Sequence, residues 1–266
     1  MENSNFESLD KWLTTHGIGL ELQVAGAFKK KYSNDQLFTV IQHSYQYLDT
    51  KSEDGEGVLR ETDVIITKSK RINHELTVSI RLVIECKYGS GMPLVLYKEN
   101  SQLPKFNFDP IEEIWTCQKT AGIDTQNLGG VYDNKIFARG LDKTCYSIET
   151  INLDGKVNSK FSAQNSIKQL ASGLAGVQKQ TIHDPQTKSS IQILIPILLT
   201  KSPIYTLSLG EDGEILKEES LRELLIWRTD PTQDGSKAFW VMHFNALEGF
   251  IEEFDQFFQE ADFRDS

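Results

Sequence analysis

The chain has 266 residues, 39% of them hydrophobic and 25% charged, the balance of a soluble globular protein with enough length to bury a sizeable core. No stretch reaches the roughly 20 apolar residues of a membrane span; the longest candidate, Ile191 to Leu199, is broken by Gln192 and Pro196. A net charge of −10 weighs against strong nucleic-acid binding, which rests on neutralising phosphates with Lys and Arg. The charge is uneven, however: acidic residues crowd into 211–265, basic ones into Lys29-Lys30-Lys31 and Lys68 to Arg71. The opening MENSNFESLDKW is acidic and polar, unlike a secretory signal, and a cytoplasmic location is expected. Cys86, Cys117 and Cys145 are odd in number and widely spaced, which predicts reduced thiols rather than disulfides or a zinc site.

Phe6, Leu9, Trp12 and Leu13 fall at three-and-four spacing and begin a helical region over 5–32, broken from Thr14 to Gly19 and resumed from Leu20 to Tyr32. In the second helix Leu20, Val24, Ala27, Phe28 and Lys31 share one side. Glu21 stands in its first turn, where a carboxylate interacts favourably with the helix dipole. Leu37 to Asp49 alternates as a first strand, with Val40, Gln42, Ser44, Gln46 and Leu48 on one side and Ile41, His43, Tyr45 and Tyr47 on the other. The polar turn Thr50 to Gly57 follows. Thr50, Ser52, Asp54, Gly55 and Glu61 match part of a calcium-loop spacing, but the first position lacks Asp and strands replace the required helices, so no calcium loop is read.

The stretch Arg60 to Lys87 concentrates the chemistry. Thr62 to Thr67 and Leu76 to Ile84 are β-branched and aliphatic runs joined by the polar segment Lys68 to Glu75, the pattern of a hairpin. A turn centred near His74 sets Asp63 opposite residues 85 to 86. Glu85 and Lys87 then point one way and Cys86 the other. Leu82-Val83-Ile84 is a continuous apolar run, the mark of a strand covered on both faces. Charged groups emerging directly from such a strand must be solvated, paired or metal-bound.

After Lys87 come a loop over 88–93 and a short strand, Leu94 to Tyr97. Residues 99–160 lack periodicity and hold the turn signals Leu128-Gly129-Gly130 and Leu153-Asp154-Gly155. They are expected to form an insertion over the site, with short helices around Ile111 to Thr116. Ser162 to Gln180 is predicted as a helix capped by Ser162, with Ile167, Leu170, Ala171, Leu174 and Val177 inward and small residues allowing close approach to a sheet. Ile191 to Leu199 is a buried strand, and a second strand follows Lys201-Ser202-Pro203. Pro196 requires a bulge or local edge on one side. Leu224 to Thr229 and Ala238 to Phe244 are further strands, and Asn245 to Phe258 is an amphipathic helix with Leu247, Phe250, Ile251, Phe254 and Phe257 inward. No repeat or linker interrupts the chain, which predicts one domain over 1–266.

Asp63 followed by Glu85-Cys86-Lys87 resembles the PD-(D/E)xK nuclease superfamily, with Thr62 standing where the name's Pro would be. Glu21 sits in an upstream helix where many members carry a further metal ligand. The resemblance implies a restriction-endonuclease-like α/β fold: an αβββαβ core over about 18–207 with a mixed central sheet flanked by helices, the insertion over 99–160, and a C-terminal strand and helix extension over 208–266. It further implies Asp63, Glu85 and Lys87 as catalytic residues and Glu21, Asp63 and Glu85 as ligands of Mg²⁺ or Mn²⁺. Gln169 or Gln178 on the following helix, and Lys68, Lys70 and Arg71, would contact substrate.

The implied activity is hydrolysis of phosphodiester bonds in nucleic acid, DNA ahead of RNA, in a setting such as prokaryotic restriction, anti-phage defence or repair. A homodimer or a partner protein is expected and no membrane partner. The competing class is a non-catalytic scaffold subunit of the same fold, favoured by the net acidity and disfavoured by the intact Asp, Glu and Lys. Other hydrolases or nucleotide-processing enzymes rank last, because P-loop, HExxH, GxSxG and zinc spacings are absent.

Overall fold

A computed structural model of the chain describes residues 8–9, 11–13, 17–33, 39–49, 58–71, 77–87, 92–98, 117–119, 145–152, 154, 162–182, 190–228 and 236–260. The elements are α1 (Gly17–Lys31), β1 (Thr39–Asp49), β2 (Val58–Arg71), β3 (Thr77–Lys87), β4 (Leu94–Lys98), β5 (Cys117–Lys119) and β6 (Cys145–Thr150). They continue with α2 (Ala163–Ile182), β7 (Ser190–Thr200), β8 (Ile204–Leu209), β9 (Ile215–Ser220), β10 (Arg222–Arg228), β11 (Ser236–His243) and α3 (Leu247–Glu260). The described strands build one mixed sheet in the order β1-β2-β3-β7-β11-β10-β6-β4-β8-β9, with β5 pairing β7 off this path. The fold is α/β, a mixed central sheet flanked by helices with additional strands and a C-terminal helix.

Alternation along the central strands makes two apolar layers. Val78, Ile80, Leu82, Ile84 and Cys86 of β3 and Ile193, Ile195, Ile197 and Leu199 of β7 face Leu20, Val24 and Phe28 of α1 and Phe250, Phe254 and Phe257 of α3. Val83, Leu194 and Leu198 face Ile167, Leu170, Leu174 and Val177 of α2. Gly173 and Gly176 let α2 lie close to the sheet, since a Cβ at either would run into Thr62 or the Tyr47 ring. At Pro196 the expected local gap is present. Among the described residues, on the side away from β3, β5 pairs β7 at Ile191 to Ile193 and β11 pairs it from Ile197 onward, so no described strand stands opposite Pro196 there.

Three features were not expected. The stretch 99–160 supplies a sheet strand, β6, held between β4 and β10. The exposed edge strand β9 follows the turn at Gly210–Gly213. From the segment after residue 207, β11 enters beside β7 in parallel, Trp240 opposite Ile197. The helices expected around Ile111 to Thr116 lie outside the described residues. Cys86 and Cys145 are buried free thiols. Among the described residues no helix is long and apolar enough to cross a membrane.

β1 changes face midway. Ile41 packs on the α1 layer and Tyr45 on the α2 layer, although both are odd-numbered. The change falls at Ser44, whose φ of 55° is left-handed, uncommon for a side chain other than Asn or Asp. The flanking pairs are His43 with Val64 and Tyr45 with Thr62, so Ser44 lies across from Asp63. β2 turns over at the same level: Val64 is in the α1 layer, while Thr62 meets α2 at Gly173.

Candidate metal centre

The seam between β2 and β3 opens at this level. Their antiparallel ladder runs from Arg71 opposite Thr77 to Val64 opposite Ile84 and ends there. Beyond it β2 stays with β1 as far as Val58 opposite Asp49, and β3 stays with β7 as far as Lys87 opposite Thr200. The hairpin register is the one expected from a turn near His74, and Asp63 and Glu85 occupy the first open position on either side. The Asp63 carboxylate fills part of the fork, its Oδ2 accepting the Cys86 N–H at 2.7 Å.

Three carboxylates gather here. Ligand oxygens of Glu21 on α1 and of Glu61 and Asp63 on β2 all lie within 4.8 Å of one another. Glu61 is two residues before Asp63 and so shares its face of the strand. Glu21 is also bound by His43 of β1, Nε2 to Oε2 at 2.9 Å, and His43 Nδ1 lies 3.3 Å from Ser44 Oγ. Glu85 is 5% exposed and is engaged by Lys87, Nζ to Oε1 at 2.8 Å.

The electrostatics follow from burial of like charges. Burial first, then the Glu85 carboxylate and with it Glu21, push Asp63 up to about 8 against the pull of the Cys86 N–H and Lys87. Glu85 is raised by burial and by Glu21 and Glu61, with Lys87 opposing. Burial alone would lower Lys87, but Glu85 and Asp63 raise it, so it remains an ammonium. The Cys86 thiol is pushed well above its ordinary range, chiefly by burial, and stays protonated. A set of close, under-compensated carboxylate oxygens is the donor chemistry of a hard divalent cation. Glu21, Glu61 and Asp63 therefore fit a divalent metal ion.

Of the residues expected at the site, Glu21 and Asp63 fall in the acidic cluster, whereas Glu85, expected as a ligand with them, lies outside that cluster and pairs with Lys87. Glu61 was missed, although its i, i+2 relation to Asp63 on a strand was available as a signal. Lys68 lies five residues along β2 from Asp63, about 17 Å at strand rise. It is buried, ion-paired to Asp255 of α3, and lies under the rings of Tyr32 and Phe258. Lys70 and Arg71 continue toward the same far end, opposite Val78 and Thr77. Gln169 is exposed on α2 and Gln178 half-buried. Comparison with known proteins finds no matching family model, no matching curated protein and no matching solved structure.

Proposed function

We propose that the chain is a metal-dependent nuclease of the PD-(D/E)xK type that hydrolyses phosphodiester bonds, with DNA ahead of RNA as substrate. The observation that carries this reading is the fork between β2 and β3, where the carboxylates of Glu21, Glu61 and Asp63 converge beside the Lys87–Glu85 pair. A divalent cation at such a site neutralises charge on the phosphate and makes bound water more acidic. Glu21, Glu61 and Asp63 would hold it. Water oxygen would add to phosphorus and release one proton to solvent as the ester P–O bond breaks, and the departing oxygen would take a proton from solvent.

Lys87, kept charged and aimed by Glu85, orients the water or stabilises the extra negative charge on the phosphoryl oxygens. Glu85 thereby acts through Lys87 as well as through its own field on Asp63. Double-strand cutting would call for a homodimer or a partner protein. The net charge of −10 favours a second reading, a non-catalytic scaffold subunit.

The test is cleavage of single- and double-stranded DNA and RNA by the purified chain with Mg²⁺, Mn²⁺ or EDTA, beside Lys87→Ala. Metal-dependent cutting that falls by at least about 10²-fold in the variant, with the fold intact, is expected. Full activity in Lys87→Ala would sink the catalytic assignment, and absence of both cutting and metal binding would leave the scaffold.

A further inference from the structure

The carboxyl ends of β3, β7 and β11 lie side by side, Lys87 opposite Thr200 and Thr200 opposite His243. The residue that follows Thr200 is Lys201, and its surroundings are built. Asn245 N–H donates to His243 Nδ1 at 3.2 Å, which leaves the hydrogen on Nε2, and Nε2 donates to the Lys201 carbonyl at 3.2 Å. The neighbouring Ser202 N–H is held by Thr200 Oγ1 at 3.0 Å. The ammonium itself donates to Gln23 Oε1 at 2.7 Å and lies 5.1 Å from the centre of the Phe244 ring.

What this ammonium lacks is a carboxylate. Lys68 has Asp255, Lys87 has Glu85 and Lys98 has Glu223, whereas among the described residues no acidic side chain pairs with Lys201. Among the described residues Lys29, Lys30, Lys31, Lys168 and Lys217 have no carboxylate partner either, but they are exposed, whereas Lys201 is half-buried. A half-buried cation supported, among the described residues, by an amide oxygen and a ring face attracts an anion. Gln23 is two residues after Glu21, so α1 offers Glu21 on one flank and Gln23 on the other. At the carboxyl end of β7 the strand beside it is β3, β2 having parted from β3 beyond Val64 opposite Ile84. The cation thus stands beyond Lys87, along the edge that leads away from the carboxylates.

We propose that Lys201 binds a backbone phosphate flanking the scissile one, and that Gln23, Phe244 and His243 hold it in place for that purpose. The inference rests on the nuclease reading and supplies the strand-tracking contact that Lys68, packed under α3, does not give. Phosphate binding by Lys201 positions the nucleic acid without reading its sequence.

The experiment is the salt dependence of binding of a fluorescent oligonucleotide to the full chain in EDTA, where no cleavage intervenes. Wild type, Lys201→Gln and Lys201→Arg are compared, with cleavage by wild type and Lys87→Ala in Mg²⁺ measured beside them. Loss of one phosphate contact should reduce the log–log slope by about 0.7 to 0.9 in Lys201→Gln, uniformly across sequences, and Lys201→Arg should restore it. An unchanged slope in Lys201→Gln overturns the proposal, and if Lys87→Ala still abolishes cutting, the nuclease reading survives that failure. A wild-type chain that neither binds nor cuts overturns both.

Discussion

Replacing Asp63 with Asn removes a carboxyl that the metal-free fold keeps from ionising. Between an ordinary carboxyl at 3.8 and one pushed up to about 8, ionisation at neutral pH is opposed by about 4 kcal/mol, taking about 1.4 kcal/mol per pH unit. The neighbouring Glu85 carboxyl shares this cost, so the observable gain is roughly 2–4 kcal/mol. The sign follows from the raised folded-state value: Asp63's contribution to stability is intact below about pH 4 and is lost as pH rises toward about 8. Asn keeps an oxygen for the Cys86 N–H but cannot ionise. Urea unfolding in EDTA at pH 5, 7 and 8 should therefore show Asp63→Asn more stable than wild type, with the gap widening upward in pH. Saturating Mg²⁺ should narrow it, because the wild type gains binding energy that the variant forgoes. Equal or lower stability of Asp63→Asn at pH 8, or parallel pH profiles, would refute the account of the fork as a cluster of under-compensated carboxylates.

Glu61→Gln should weaken Mn²⁺ binding in calorimetry at least about tenfold while leaving the circular dichroism unchanged; undiminished affinity would exclude Glu61 from the ligand set. Lys68→Ala should cost about 3 kcal/mol in urea unfolding, the lower end of the range for leaving one member of a buried pair alone, because the Asp255 side chain retains some exposure to water. A loss below about 1 kcal/mol would show that α3 does not depend on that pair.

The hairpin register was legible because its turn and its two apolar runs fix the pairing of a strand buried on both faces, and Leu82-Val83-Ile84 announced that burial. The inward faces of α1, α2 and α3 were legible from three-and-four spacing, Leu20, Val24 and Phe28 being a clear instance. Glu61 escaped because alternation places Glu61, Asp63 and Ile65 together, and Ile65 lies in the α2 layer. The turnover at Ser44 and Asp63 reassigns the carboxylates to the layer of α1, and nothing in local composition signals a left-handed serine. The strand β6, and the place of the expected strand β11 beside β7, were hidden for a different reason. Each has a parallel neighbour distant in sequence, β10 for β6 and β7 for β11, and parallel partners such as Ile197 and Trp240 carry no turn to betray them.

The reversal at Ser44 also changes which spacings on β1 carry meaning. His43 reaches Glu21, and Gln46, opposite Glu61, lies on the same side as the carboxylates. These positions are three apart, an interval that an uninterrupted strand assigns to opposite faces. Substitutions at 43 and 46 should consequently act as a coupled pair on the centre, while Tyr45 and Tyr47 vary with α2. A search for correlated changes that assumes strict two-residue periodicity through β1 would pair the wrong residues.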